Sequence, residues 1–251
     1  MSEPVGDPPQ VTIIVPALNE EPTIREVVER LLALPISCQI IVVNDGSTDK
    51  TGEILQQFEH QVLVLKHESP RGKGMAIRSA LAHAVAEAVI IQDADLEYAP
   101  EQIPEVVGPI LAGNAEVVYG DRFHEGLPKG MALPNKVVNR LLAFSVQLLY
   151  GKKISDEATC YKAFRTELLQ GFDLQCERFE FCPEVTAKAL RSGIEIQEVP
   201  IKYEPRSMDA GKKIRWTDAP EAFWTLLRYK NWKPETALVV RTATESLSEP
   251  K

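Results

Sequence analysis

Short apolar runs rich in Val and Ile recur along the first half of the chain. Each is followed by a segment whose apolar residues repeat with a helical period. Val11 to Val15 is the first run, and Ile24, Val27, Val28, Leu31 and Leu32 mark the helix after it, with Pro22 suited to the first turn. Ile40 to Val43 predicts a second strand, closed by Asn44-Asp45-Gly46-Ser47, and Ile54, Leu55 and Phe58 a short helix. Val62 to Leu65, the Ala-rich Met75 to Val85, and Ala88 to Ile91 continue as strand, helix, strand. Ile103, Val106, Val107, Ile110 and Leu111 form another helical stripe before a strand at Glu116 to Tyr119.

This alternation predicts an α/β fold, a single domain with a mostly parallel central sheet and helices on both faces. Ligands of such sheets bind beyond the carboxyl ends of the strands. Pro16 to Glu20, Asp45, and Asp93 with Asp95 all fall at such ends, so three polar loops are expected to converge on one crevice. The second half is less regular. Helices are expected at Lys136 to Tyr150, Pro183 to Leu190 and Pro220 to Tyr229, and strands at Cys160 to Phe164 and Ile194 to Tyr203. The domain is expected to span 11–232, between a disordered segment 1–10 and a loose tail 233–251.

Length and composition fit that picture. The chain has 251 residues, enough for one large α/β domain, and 44% of them are hydrophobic and 25% charged. The net charge of −8 argues against a nucleic-acid partner. No stretch is long and apolar enough to span a membrane, and Met1 to Gln10 lacks the apolar core of a signal peptide. A cytoplasmic protein, or one lying on a membrane without crossing it, is expected. The four cysteines lack metal-ligand spacing and are read as reduced thiols. His60, His67, His83 and His124 are scattered and read as surface or capping residues.

The densest chemistry is Asp93-Ala94-Asp95, with Glu97 two residues on. Two carboxylates leaving a buried strand one residue apart point the same way. They suit a hard divalent cation of the kind that bridges a diphosphate. Asp45 can accept hydrogen bonds from a ribose or base, or can simply open the next helix. Arg71-Gly72-Lys73-Gly74 precedes the Ala-rich helix, whose first amides would favour an anion unless the segment is an ordinary solvated loop. The Walker spacing is absent, as is a Gly-x-Gly-x-x-Gly after the first strand.

Residues 15–21 (Val-Pro-Ala-Leu-Asn-Glu-Glu), 42–49 (Val-Val-Asn-Asp-Gly-Ser-Thr-Asp), 72–74 (Gly-Lys-Gly) and 93–97 (Asp-Ala-Asp-Leu-Glu) together resemble glycosyltransferase family 2, in its dolichyl-phosphate mannose synthase-like branch. Tyr-Gly-Asp-Arg-Phe at 119–123, the run Ser155 to Arg165, Glu198 to Tyr203 and Gly-Lys-Lys-Ile at 211–214 extend the likeness from about Val11 to about Trp232. The resemblance implies a GT-A (Rossmann-like) fold, a nucleotide sugar donor of the GDP-mannose or UDP-glucose type, and Mg²⁺ or Mn²⁺. It implies Asp93, Asp95 and Glu97 around the metal. Pro16, Ala17, Asn19, Glu20, Asp45, Lys73 and Ala94 would line the nucleotide-sugar pocket, with Arg206 and Lys212 or Lys213 closing over the diphosphate. Arg122 would grip a lipid phosphate acceptor, and Asp95 and Arg206 would act on the leaving group.

Asp156 either orients or deprotonates the acceptor, or caps the turn before Thr159. Glu180 and Glu184 lie where many family members place acidic residues, although Glu184 can equally open a helix. The helix from Lys136 is apolar around most of its circumference and framed by Lys136, Arg140, Lys152 and Lys153. It is either a core helix or an interfacial one beside the acceptor site. Membrane contact would come through it, through the 206–216 loop or through a membrane partner protein. The reading is an inverting, metal-dependent transfer of a hexose to a polyprenyl phosphate. The alternatives are a soluble hydroxyl acceptor and a non-catalytic sugar-nucleotide-binding protein.

Overall fold

The computed structural model describes residues 8–126, 131, 133–205 and 219–234. Seven strands form one sheet in the order β3-β2-β1-β4-β6-β5-β7. They are β1 (Val11–Ala17), β2 (Cys38–Asn44), β3 (Leu63–Lys66), β4 (Ala88–Ile91), β5 (Val117–Asp121), β6 (Lys162–Arg165) and β7 (Ile196–Pro200). The helices are α1 (Ile24–Leu32), α2 (Thr51–Gln56), α3 (Lys73–Leu81), α4 (Ile103–Leu111), α5 (Leu133–Tyr150), α6 (Thr166–Gly171), α7 (Phe181–Arg191) and α8 (Ala219–Tyr229). A single 3₁₀ turn, Pro100–Gln102, leads into α4.

β1 pairs in parallel with both β2 and β4, Val11 lying opposite Cys38 on one side and Ala88 on the other. The chain therefore reverses its winding direction on the two sides of β1, which opens a crevice above its carboxyl end. β6 runs antiparallel between β4 and β5, so the sheet is mostly but not wholly parallel. The Val- and Ile-rich strands are buried on both faces: Val11, Ile13, Ile14, Ile41, Val42 and Ile90 are all inaccessible to solvent. Their burial drives the fold, and the polar residues just past their ends are carried with them to one edge.

β4 and α4 lie where the apolar pattern predicts. β2 is longer than expected by two residues at its start and one at its end, and α3 begins two residues earlier, at Lys73. β7 is half the expected length, ending at Pro200, which lacks an N–H for the ladder. Residues 1–7 of the segment expected to be disordered and 235–251 of the tail expected to be loose lie outside the described residues, while the Gln10 N–H donates to the Ser37 carbonyl at 2.9 Å.

Gly72 and Gly74 hold chain segments closer than any side chain permits. Gly72 has φ +97°, and a Cβ there would lie 2.4 Å from the Glu177 carbonyl oxygen. Gly74 packs as tightly, its notional Cβ 2.9 Å from the backbone of Cys176, Glu177 and Arg178. The start of α3 is thus pressed against the segment leading into α7. Gly72→Ala should lower stability by at least about 1–3 kcal/mol through strain and clash. Gly108→Ala, inside α4 with nothing within 4 Å, should raise it by about 0.5–1 kcal/mol. Urea denaturation of both variants checks the contrast.

Candidate active site

The loops after β1, β2 and β4 meet at a cavity of about 380 Å³. Pro16, Ala17 and Glu20 reach it from β1, and Asp45 from β2. Asp93, Ala94, Asp95 and Glu97 reach it from β4, and Lys73 from the start of α3. Arg122, past the end of β5, and Tyr203, past β7, complete the polar wall. α5 contributes Asn135, Val138, Asn139 and Leu142 to the lining, and α8 contributes Ala219, Glu221 and Ala222. Arg206, Lys212 and Lys213 lie outside the described residues, as does the 211–214 motif.

The acidic turn after β4 is fixed from several sides. Asp95 Oδ1 accepts the Glu97 N–H at 3.0 Å, and Leu96 between them has φ +61°, a conformation costly for a non-glycine residue. Gln92 Nε2 donates to the carbonyls of Asp93 and Tyr98, and Gln92 Oε1 accepts from the Tyr161 hydroxyl. Thr23 Oγ1 donates to the Ala94 carbonyl at 2.7 Å. Glu97 Oε2 accepts the Tyr203 hydroxyl at 2.8 Å. The carboxylates are therefore held in place by groups from α1, β6 and β7. The supports from Thr23, Tyr161 and Tyr203 have no local sequence signal, because each is distant along the chain from its partner.

Asp93 and Lys73 form an ion pair, and Lys73 Nζ also donates to Cys160 Sγ at 3.3 Å. Burial works against the Lys73 charge, but the adjoining Asp93 carboxylate outweighs it and leaves the amine well above the ordinary lysine range. Among the described residues no three His, Cys, Asp or Glu side chains are grouped as a protein-only metal cage. The donor set still fits a hard divalent ion. Carboxylate oxygens are its preferred ligands, and Mg²⁺-type sites take one or two of them and complete the shell with water and substrate phosphate.

Several expected residues have other partners. Asp45 accepts the N–H groups of Arg71 and Gly72 at 2.9 and 2.8 Å, and its Oδ1 lies 2.6 Å from His67 Nδ1. His67 is thus buried against the site, with Nε2 near Ser79 Oγ, and is not the surface residue expected. The free amides expected at the α3 start are engaged: those of Gly74 and Met75 donate to the Arg178 and Glu177 carbonyls. Asn19 does not line the cavity. Its Oδ1 accepts the Thr48 N–H at 2.8 Å and so braces the β1 loop against the β2 loop. Glu184 is buried, accepts the amides of Gln175 and Cys176, and pairs with Lys188 at 2.6 Å, a structural role. Glu180 accepts the amides of Glu177 and Arg178 at the cavity edge.

Arg122 and Asp156 form a bidentate pair, Nε to Oδ2 at 2.6 Å and Nη2 to Oδ1 at 2.7 Å. Asp156 is wholly buried, and Arg122 stacks over the Tyr203 ring at 4.9 Å. Burial disfavours the guanidinium charge, while Asp156 more than restores it. Of the two functional readings of Asp156, orientation matches this geometry better than proton abstraction, because both oxygens are committed to Arg122.

α5 divides into two faces. Asn139, Leu142 and Val146 are buried, whereas Leu133, Val137, Leu141, Phe144 and Leu148 are exposed, Phe144 by 60% and Leu148 by 73%. Trp224 and Leu227 of α8 are exposed as well. The expectation of a core helix therefore holds for one face, and the other face is exposed. No helix among the described residues is long and apolar enough to cross a membrane.

Superposition places the fold among the GT-A glycosyltransferases. Glucosyl-3-phosphoglycerate synthase from Mycobacterium tuberculosis, solved with Mn²⁺, uridine diphosphate and phosphoglyceric acid, matches with a TM-score of 0.69 at 22% identity, over 91% of this chain and 80% of that one. Residues 12–172 match glycosyl transferase family 2, and the chain belongs to that family. A UDP-N-acetylglucosamine–dolichyl-phosphate N-acetylglucosaminyltransferase of Methanococcus voltae is 33% identical, over 81% of this chain and 90% of its own length. A dolichol-phosphate mannosyltransferase of Pyrococcus furiosus is 24% identical, over 95% of this chain and 69% of its own. The protein is a glycosyltransferase.

Removing Asp156 would strand a buried guanidinium. Asp156→Ala should cost about 3–5 kcal/mol, and the paired change Arg122→Met with Asp156→Leu should cost less than Asp156→Ala alone. Thermal and urea unfolding of the three proteins measures both values.

Proposed function

We propose that the protein transfers a hexose from a nucleoside diphosphate sugar to a polyprenyl phosphate of the dolichyl type, with inversion and with a divalent metal ion. The observation that carries this reading is one cavity with two characters. Its acidic residues Asp93 and Asp95 suit a metal-bound diphosphate, and the same cavity is lined by Arg122 and by the apolar Met131, Val138 and Leu142. Such apolar lining suits the isoprenoid chain of a lipid acceptor. The relatives named for dolichyl phosphate acceptors support the same class of acceptor.

Each residue has a part in this scheme. Pro16, Ala17, Glu20 and Asp45 receive the nucleoside, with Asp45 also tying down the α3 loop through Arg71 and Gly72. Asp95 and Asp93, with Glu97 assisting, hold the metal, which when bound offsets the charge that develops on the departing diphosphate. Lys73 adds a second cation beside Asp93. Arg206 and Lys212 are assigned to the same diphosphate. Arg122 Nη1, which Asp156 does not engage, is offered to the acceptor phosphate, and Asp156 fixes the fork that carries it. A phosphate monoester with a second pKa of about 6 is already an anion near neutral pH and attacks without a protein base. One in-line displacement then inverts the anomeric centre. The exposed apolar stripe of α5, with Lys136 and Arg140 beside it, rests on the cytoplasmic face of a membrane that supplies the acceptor.

The test is a panel of radiolabelled UDP- and GDP-hexoses offered to purified protein with dolichyl phosphate and Mg²⁺ or Mn²⁺. Label should enter an organic-soluble, mild-acid-labile product. Transfer should fall by at least about a hundredfold in Asp95→Ala, as for loss of a group that stabilises developing charge, and vanish with a chelator. Label passing only to water or to a soluble acceptor such as phosphoglycerate would refute the lipid phosphate assignment.

A further inference from the structure

Glu157 follows Asp156, yet the two side chains part. Asp156 turns to Arg122, while Glu157 borders the cavity and is only 1% exposed. Its Oε1 accepts a long bond from Thr186 Oγ1 at 3.4 Å, and its Oε2 has no hydrogen-bond partner among the described residues. Three other buried side-chain atoms share that state, on Thr159, Arg165 and Thr166, but none of those residues borders the cavity. The nearby Lys162 gives the carboxyl charge but no hydrogen bond. Its Nζ donates to the Glu157 main-chain carbonyl at 2.6 Å and sits 3.5 Å from the Tyr119 ring centroid. Burial raises the Glu157 pKa, with the Lys162 charge working against it.

A buried acceptor without a partner is costly, and on a residue that borders a cavity it is satisfied most economically by a donor that the cavity's occupant brings. Position says which part of the ligand would reach it. In the sheet β4, which leads to Asp93, lies between β1 with β2, which carry the nucleoside loops, and β6, which follows Glu157. Glu157, Ala158 and Cys160 form one wall, and Cys160 Sγ lies against Lys73 Nζ, the partner of Asp93. Lys73 thus links the segment that carries Glu157 and Cys160 to the acidic turn. We propose that Glu157 Oε2 accepts a hydrogen bond from a hydroxyl or amide N–H of the sugar being transferred, and so selects the donor sugar. This rests on the reading of the cavity as a nucleotide-sugar site. It adds that recognition of the glycosyl group is carried by the carboxyl behind Arg122, apart from the acidic turn.

Two variants separate recognition from support. Glu157→Met removes both oxygens at similar length, and Glu157→Gln restores one acceptor oxygen. Affinity for the free nucleoside diphosphate should stay within about twofold in both, since neither touches the nucleoside loops. For the preferred donor, kcat/KM should fall about ten- to hundredfold in Glu157→Met and recover in part in Glu157→Gln. A donor lacking the contacted hydroxyl should be disfavoured by wild type and accepted by Glu157→Met as readily as the parent sugar. Should Glu157→Met not fold, Glu157→Gln and the deoxy-donor series on wild type decide, and discrimination within about threefold across the series overturns the proposal. So does a variant that loses nucleoside diphosphate and donor affinity together. Failure of wild type to bind any nucleoside diphosphate is a separate outcome: it removes the nucleotide-sugar reading, and the Glu157 assignment with it.

Discussion

A carboxylate at the end of a buried strand needs a cation, and in this protein the answer is Lys73. Asp93 leaves β4 beside Asp95 at a point enclosed by the loops of β1, β2 and α3. The Lys73–Asp93 pair neutralises one of the two charges and draws the start of α3 toward the turn. Around it, each segment that approaches the pair is held by backbone contacts. Gly72 and Gly74 let the chain before α7 pass within reach, and Asp45 clasps the amides of Arg71 and Gly72. The acidic turn is thus already held in shape, and a divalent ion arriving with a diphosphate would meet carboxylate oxygens of the kind it prefers.

A second pair performs the same service for the other end of the cavity. Arg122 and Asp156 are buried together, and the guanidinium also stacks on Tyr203, whose hydroxyl reaches Glu97. The acidic turn and the proposed acceptor-phosphate site are thus joined through one aromatic ring. A disturbance of Tyr203 reaches both, which explains how strands at opposite sides of β6 share one function.

The order of strands and helices was legible because the strands are buried on both faces and the helices are amphipathic, α1 and α4 most plainly. Asp93, Asp95, Glu97, Asp45, Pro16, Ala17, Glu20, Ala94, Lys73 and Arg122 were legible as a group because they follow strand ends or lie in segments resembling one family, and all ten border the cavity. What was not legible is long-range. β6 is four residues long and carries no mark of its antiparallel direction, and α6 is too short for a helical period to emerge. Asn19 faces Thr48 and Asp156 faces Arg122, partners 29 and 34 residues away. His67 resembled a surface residue because nothing near it in sequence reveals Asp45 as its neighbour. Glu157 was hidden beside a more conspicuous acid, and only its burial and its unpartnered oxygen set it apart.

The central claim is that the acidic turn holds a divalent ion whose shell the nucleotide completes. Electron paramagnetic resonance or calorimetry of Mn²⁺ binding, with and without nucleoside diphosphate, tests it most directly. The account predicts weak Mn²⁺ binding to the protein alone, much tighter binding once nucleoside diphosphate is added, and loss of that gain in Asp95→Ala. Mn²⁺ bound equally well without nucleotide, or a gain that survives Asp95→Ala, would contradict it.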